Sequence, residues 1–295
     1  MNDYVLAVVL GVIEGLTEFL PVSSTAHLRI SEAVLGIDLT DAYWKTFSIV
    51  IQLGAILCLP IYFWSRLVKL VRWFPHGSRG DRTVANHPLT LTVIAFLTTA
   101  IPAFLLTRII GKHLESLHVM AVSLIVGGIV MWAVDAIYDR SKGQAFARGW
   151  LTENMEEMSV GQAVWIGACQ ILSAVFPGTS RSMATITAGE LAGMTRSAAL
   201  EFSFFLSIPT MAAATLYDLA KSLRPRAGEP SAIGAMPHDA HSVIVLAIGF
   251  VVSFVVAYGV VGWFLGWVRR HGFTVFAVYR IIVGTAVLWW ASRLP

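Results

Sequence analysis

An all-α polytopic membrane protein is what the sequence predicts: six transmembrane helices plus two re-entrant helix pairs in an inverted repeat. Three observations lead there. Of 295 residues, 56% are hydrophobic and 13% charged, and mean hydropathy is +0.71, whereas a soluble domain carries about 25% charged residues. Several uncharged runs reach the roughly 20 residues a helix needs to cross a bilayer. Finally, GVIEGLTEFLPVSSTAH (11–27) aligns without a gap on GACQILSAVFPGTSRSM (167–183), placing Gly11 on Gly167, Glu14 on Gln170, Pro21 on Pro177 and Ser24 on Ser180.

The first repeat covers 1–138. It opens with a re-entrant segment, 3–36, in which a short apolar helix meets Pro21 and a cluster of hydroxyls. The opening run 4–13 leads into Glu14 and not into a small-residue cleavage site, so no cleavable signal peptide is expected. Spans follow at 46–64, 89–107 and 116–134, the last broken only by His118. A linker, 139–158, precedes the second repeat, 159–295. Its re-entrant segment, 159–193, contains an uncharged stretch long enough to be taken for a span. Pro177-Gly178 breaks that helix midway, and its partner in the repeat carries Glu14 and Glu18. Spans at 202–217, 242–268 and 271–292 complete the chain, with Arg280 interrupting the last. KTFSIVIQL (45–53) aligns with EFSFFLSI (201–208) at an offset one residue shorter, extending the repeat. Three crossings per half, an odd number, invert the second half relative to the first. The two broken segments would then meet tip to tip near the bilayer centre, since non-helical backbone survives there only under cover of protein or water.

Net charge is +3 and pI about 9.0. The basic residues sit mainly in loops, which points to topology control and anionic lipid and away from nucleic acid. Loops 65–87, 139–158 and 268–271, with Arg196, hold more Lys and Arg than the opposite side, so the N-terminus and the polar segment 221–240 are expected outside. Cys58 and Cys169 lie far apart in apolar segments and read as packing residues, without disulfide or metal spacing.

The chemistry concentrates in the two motifs. Glu14 and Glu18 stand four apart, on one helical face. Two carboxylates at membrane depth are expensive unless a positive group lies between them, and a Mg²⁺ or Ca²⁺ ion on substrate phosphates would serve. The bland alternative is a wet interfacial position. Ser23 or Ser24 would cap the helix that follows Pro21, aiming free N–H groups at an anion; Thr25 adds a third hydroxyl. His27, three residues after Ser24, suits a general acid/base or a nucleophile. Gly178 permits close backbone approach, Ser180 and Ser182 offer hydroxyls, and Arg181 provides a planar fork for phosphate oxygens. A salt bridge from Arg181 to Glu14 or Glu18 is the competing role. Thr185 shares the helical face of Arg181, while Gln52 and Glu201 are intramembrane polar groups with helix–helix bonding or an interface position as alternatives.

The strings EGLTEFLPVSSTAH and PGTSRSMATI, with VIQLGAIL and EFSFFLSIP, closely resemble the undecaprenyl-diphosphate phosphatase family, also called bacitracin resistance protein. The likeness spans essentially the whole chain. It implies a multi-pass enzyme of the bacterial cytoplasmic (inner) membrane, active on the external side with a divalent cation. Such an enzyme hydrolyses undecaprenyl diphosphate to undecaprenyl phosphate and inorganic phosphate, recycling the carrier lipid for the cell wall. The family's acidic motif falls on Glu14 and Glu18, its Ser/His motif on Ser24 and His27, and its arginine motif on Ser180 and Arg181. Glu18, Ser24, His27 and Arg181 are thus the expected catalytic residues, with Glu14 and Glu18 as metal ligands. Ser23, Thr25, Gly178, Ser180, Ser182, Thr185, Gln52 and Glu201 are the expected substrate contacts. Either Ser24 attacks phosphorus with His27 as base, or His27 attacks directly. Expected partners are a polyprenyl diphosphate and membrane lipid; a homodimer is left open. The rival reading is a lipid-phosphate transporter or flippase, since inverted repeats with broken helices are common in transporters.

Overall fold

A computed structural model describes residues 2–38, 41–78, 80–106, 116–147, 151–223 and 239–293. Most of the 221–240 segment, and 148–150 of the linker, therefore lie outside the described residues. Among those described are eleven α-helices, of which six are long and apolar enough to cross a membrane.

The helices begin where the local chemistry supplies a cap. Asn2 accepts from the Tyr4 amide (3.1 Å) to start α1, Asp3–Thr17. Ser23 caps α2, Ser24–Val34. Asp41 accepts from the amides of Tyr43 and Trp44 ahead of α3, Ala42–Tyr62. The amphipathic α4, Trp64–Arg72, buries Leu70 and leaves Trp64 and Val71 exposed. His87 caps α5, Pro88–Leu105, whose first position is the proline that needs no amide partner there. α6, Leu117–Ala147, is followed by a 3₁₀ turn, Met155–Glu157. A reciprocal capping box between Ser159 and Gln162 starts α7, Val160–Val175. Ser180 caps α8, Arg181–Leu191; then come α9, Arg196–Leu223, α10, Ala240–Val268, and α11, Thr274–Ala291.

The six candidate spans are α3, α5, α6, α9, α10 and α11, close to the six runs predicted. Two extend further than hydropathy suggests. The expected 202–217 begins at Arg196, and the expected 116–134 runs on to Arg140. In both cases the helix continues through charges that are paired: Arg196 bridges Asp135, Asp139 and Glu190, and Asp135 also accepts from the amides of Phe273 and Thr274.

Helices pack by close backbone approach. A Cβ on Gly11 would stand 2.8 Å from the Gly249 carbonyl oxygen, and one on Gly167 would stand 2.4 Å from that of Ala95. The aligned glycines thus do the same job, seating α1 on α10 and α7 on α5. Small residues suit such contacts because lipid offers apolar side chains no reason to leave it for a protein interface.

The starts of α1, α3 and α10 share one end of the bundle, tied by Asp3 and Tyr4 to His241 and by Tyr43 to the Ser242 carbonyl. At the other end, Arg66 bridges Glu156 and Glu201, and Asp135 receives the start of α11. α7 starts from that second end. Hence α1 and α7 start at opposite ends of the bundle.

Candidate active site

The C-terminal turn of α1 carries the acids. The Glu18 amide donates to the Glu14 carbonyl (2.9 Å), keeping both side chains on one helical face. Phe19 is fully buried and packs edge-on against Phe204 of α9, with ring centroids 5.6 Å apart. Val22 is buried in the same cluster. These two anchors fix the turn, and with it Glu18.

Two corners are alike. Ser23 and Ser180 both hold positive φ, 74° and 70°, and each side chain accepts from an amide three residues on, Ala26 and Met183. The sequence alignment sets Ser24 opposite Ser180; the backbone instead matches Ser23 to Ser180. Counted from the aligned glycines, Ser180 lies one position further from Gly167 than Ser23 lies from Gly11, which an ungapped alignment cannot show. Gly178 has φ 93°, and a Cβ there would stand 2.6 Å from the Met120 carbonyl oxygen, so both conformation and space require glycine.

Residues from the two motifs meet at Glu18. Ser24 Oγ donates to Glu18 Oε2 at 2.5 Å, short as expected for a hydroxyl on a carboxylate. Arg181 Nη2 donates to Glu18 Oε1 at 3.3 Å, with both side chains buried. Arg181 also donates through Nη1 to the Ser207 hydroxyl, while its Nε has no acceptor. Ser182 donates to the Glu18 carbonyl at 3.4 Å, and Thr185 bonds Ser203 at 2.6 Å beneath Arg181. The salt bridge weighed in the sequence is therefore present, and it goes to Glu18.

Glu14 is completely buried, and neither carboxylate oxygen receives a hydrogen bond. A buried carboxylate without a partner is costly. With Glu18 nearby, the pair could hold a divalent cation. Among the described residues no group of three or more His, Cys, Asp or Glu assembles, so other ligands would come from phosphate oxygens and water, as Mg²⁺ commonly arranges. The counterpart of Glu14 in the second half, Gln170, instead donates to Thr99 and Thr210. The acids thus belong to the first half and the cation to the second.

His27 is oriented by two contacts. Its Nδ1 lies 2.8 Å from the Ser23 carbonyl, which can only accept, so that nitrogen carries the proton. Nε2 is then free to accept from the Tyr279 hydroxyl at 2.8 Å. Ser24 gives its hydroxyl to Glu18 and not to His27.

Arg280 is the residue that sequence reasoning passed over. It is fully buried and donates to the carbonyls of Pro21 (3.0 Å), Ser123 (3.2 Å), Gly178 (3.0 Å) and Thr179 (2.9 Å). One guanidinium thereby ties both corners to α6. Its only signal in the sequence was a charge inside an apolar run. Ser203, Ser207 and Tyr279 had no signal.

Not every expected residue joins this cluster. Thr25 is exposed, Gln52 is half-buried on α3 outside the hydrogen bonds described, and Glu201 pairs with Arg66 at the end of the bundle. Glu201, near the head of α9, lies beside the basic α4, which satisfies it there, the interface position weighed in the sequence.

Proteins named undecaprenyl-diphosphatase are similar over almost their whole length. The one from Koribacter versatilis is 65% identical across 99% of this chain and 100% of its own. One from Caldanaerobacter subterraneus is 39% identical across 98% and 96%. Another, from Streptomyces avermitilis and named undecaprenyl-diphosphatase 1, is 38% identical across 96% and 94%. With a match over residues 7–286, the chain belongs to the family described as bacitracin resistance protein BacA.

Proposed function

We propose that this protein is an undecaprenyl-diphosphate phosphatase of the bacterial inner membrane, releasing inorganic phosphate and returning the monophosphate carrier lipid to cell-wall synthesis. The observation that carries the reading is the junction of Ser24, Glu18 and Arg181, a hydroxyl, an acceptor for its proton and a phosphate-binding fork at one point. The relatives named undecaprenyl-diphosphatase support the substrate.

The reading includes the architecture. α1–α2 and α7–α8 act as two re-entrant pairs of an inverted repeat, with 1–138 and 159–295 as its halves and 139–158 as linker. Their opposite entry and their meeting at Glu18 and Arg181 support this. The excess of Lys and Arg around α4, Arg196 and the start of α11 supports placing that end inside and the active face outside.

In the mechanism, the lipid keeps its tail in the bilayer and brings its diphosphate to the corners. Arg181 turns from Glu18 to the terminal phosphate, joined by amides at the starts of α2 and α8 and by the hydroxyls of Ser180 and Ser182. Ser24 Oγ attacks the terminal phosphorus and Glu18 Oε2 takes its proton. The bridging P–O bond breaks and polyprenyl phosphate leaves. Water then attacks the phosphoserine, giving a proton to His27 Nε2; the Ser24 Oγ–P bond breaks, Ser24 recovers its proton from Glu18, inorganic phosphate leaves and His27 releases its proton to solvent. Ser24 is preferred to His27 as nucleophile because its hydroxyl already points at an acceptor. A Mg²⁺ or Ca²⁺ ion held by Glu14 and Glu18 would neutralise the diphosphate. The remaining work is positioning and charge stabilisation.

The test is phosphate release by the purified protein from a long-chain polyprenyl diphosphate, with and without a chelator. Release that stops on chelation and returns with Mg²⁺ or Ca²⁺ is expected. Lipid binding without phosphate release under any metal would favour a transporter.

A further inference from the structure

Among the described residues, Tyr279 gives His27 a hydrogen-bond partner from outside the two motifs. It lies on α11, next to Arg280, yet it faces the other way: Arg280 is fully buried and Tyr279 is 41% exposed. Val275, Val278 and Ile282 around it are 60%, 45% and 63% exposed. On a membrane-crossing helix these apolar side chains face lipid. Tyr279 therefore stands at the boundary between the bilayer and the imidazole. Its hydroxyl is 2.8 Å from His27 Nε2, and the rings lie nearly parallel, 5.6 Å apart at 10°.

The two partners of His27 act together. The Ser23 carbonyl selects the tautomer with the proton on Nδ1, and the Tyr279 hydroxyl donates to the nitrogen left bare. Both contacts favour one tautomer and one ring orientation. They also leave Nε2 engaged while no substrate is present. The ring offers an apolar face to the first carbons of a polyprenyl chain.

We propose that Tyr279 is a positioning residue at the bilayer-side opening of the active site. It holds His27 with Nε2 poised as acceptor, and yields that nitrogen when the lipid arrives laterally between α2 and α11. Freed in this way, Nε2 accepts the proton of the water that cleaves the phosphoserine. The role rests on the phosphatase reading.

The test pairs kinetics with a chemical probe of His27. Tyr279→Phe keeps the stacked ring and removes only the hydroxyl, so kcat should fall about two- to tenfold, the worth of one hydrogen bond, with KM changed by less than about twofold. Diethyl pyrocarbonate acylates an unprotonated imidazole nitrogen. Mapped by mass spectrometry, because the chain has eight histidines, acylation of His27 in the substrate-free protein should be several-fold faster in the variant. A general loss of packing would move KM and the other histidines as well. Wild-type kcat and an unchanged His27 acylation rate in Tyr279→Phe would overturn the role alone. Absence of phosphate release from the wild-type protein would contradict the phosphatase reading, and this role with it.

Discussion

Glu18 has two oxygens and gives each a different partner, Ser24 and Arg181. An amide of the same shape cannot serve both. Its one oxygen could accept from Ser24 or from Arg181, and its NH₂ would then face the other donor. Glu18→Gln should therefore lower phosphate release by about a hundredfold or more, the scale of a lost general base. Lipid binding, measured on the same preparation, should change far less. A variant with wild-type turnover would remove Glu18 from the proton path. Glu18, Ser24 and Arg181 were legible in the sequence because each is a costly or reactive group in a stretch otherwise built for lipid. Arg280 was present in the same form, a charge inside a span, but its four carbonyl partners are scattered between Pro21 and Thr179. Backbone acceptors leave no mark on a sequence, so the residue could be noticed and its job could not.

At the scale of elements, the corners decide where the chemistry lies. Ser23 and Ser180 pair a helix cap with a backbone conformation that L side chains rarely adopt, a strain on the order of 1–3 kcal/mol. The cap contributes roughly 0.5–2 kcal/mol relative to alanine, whereas glycine at that position is only a few tenths worse than serine. Ser180→Gly should therefore melt at or above the wild-type temperature, and Ser180→Ala clearly below it. The opposite order in a thermal unfolding series would show that neither the cap nor the positive φ matters. Hydropathy located the six spans but ended two of them early, at charges that Arg196, Asp135 and Glu201 satisfy in three dimensions. The aligned glycines, Gly11 and Gly167, both seat a helix by close backbone approach. The ungapped alignment misses the corners by one residue, because Ser180 lies one position further from its glycine than Ser23 does.

For the whole molecule, the central proposal is that two half-length helical segments enter from opposite ends and complete one phosphatase site, the acids from one and the guanidinium from the other. The parity of the crossings suggested this arrangement from sequence. The ion pairs that tie the helix ends, Arg196 with Asp135 and Arg66 with Glu201, were not legible, since each joins charges that hydropathy had assigned to separate loops or span ends. The measurement that bears most directly on the proposal is phosphate release from a long-chain polyprenyl diphosphate by Arg181→Ala beside the wild-type protein in the same bilayer. Loss of a preorganised phosphate donor should lower release by about 10²–10³-fold while the first-half residues stay intact. Release at the wild-type rate would mean that the second motif contributes nothing to the chemistry, and would contradict a site shared between the two halves.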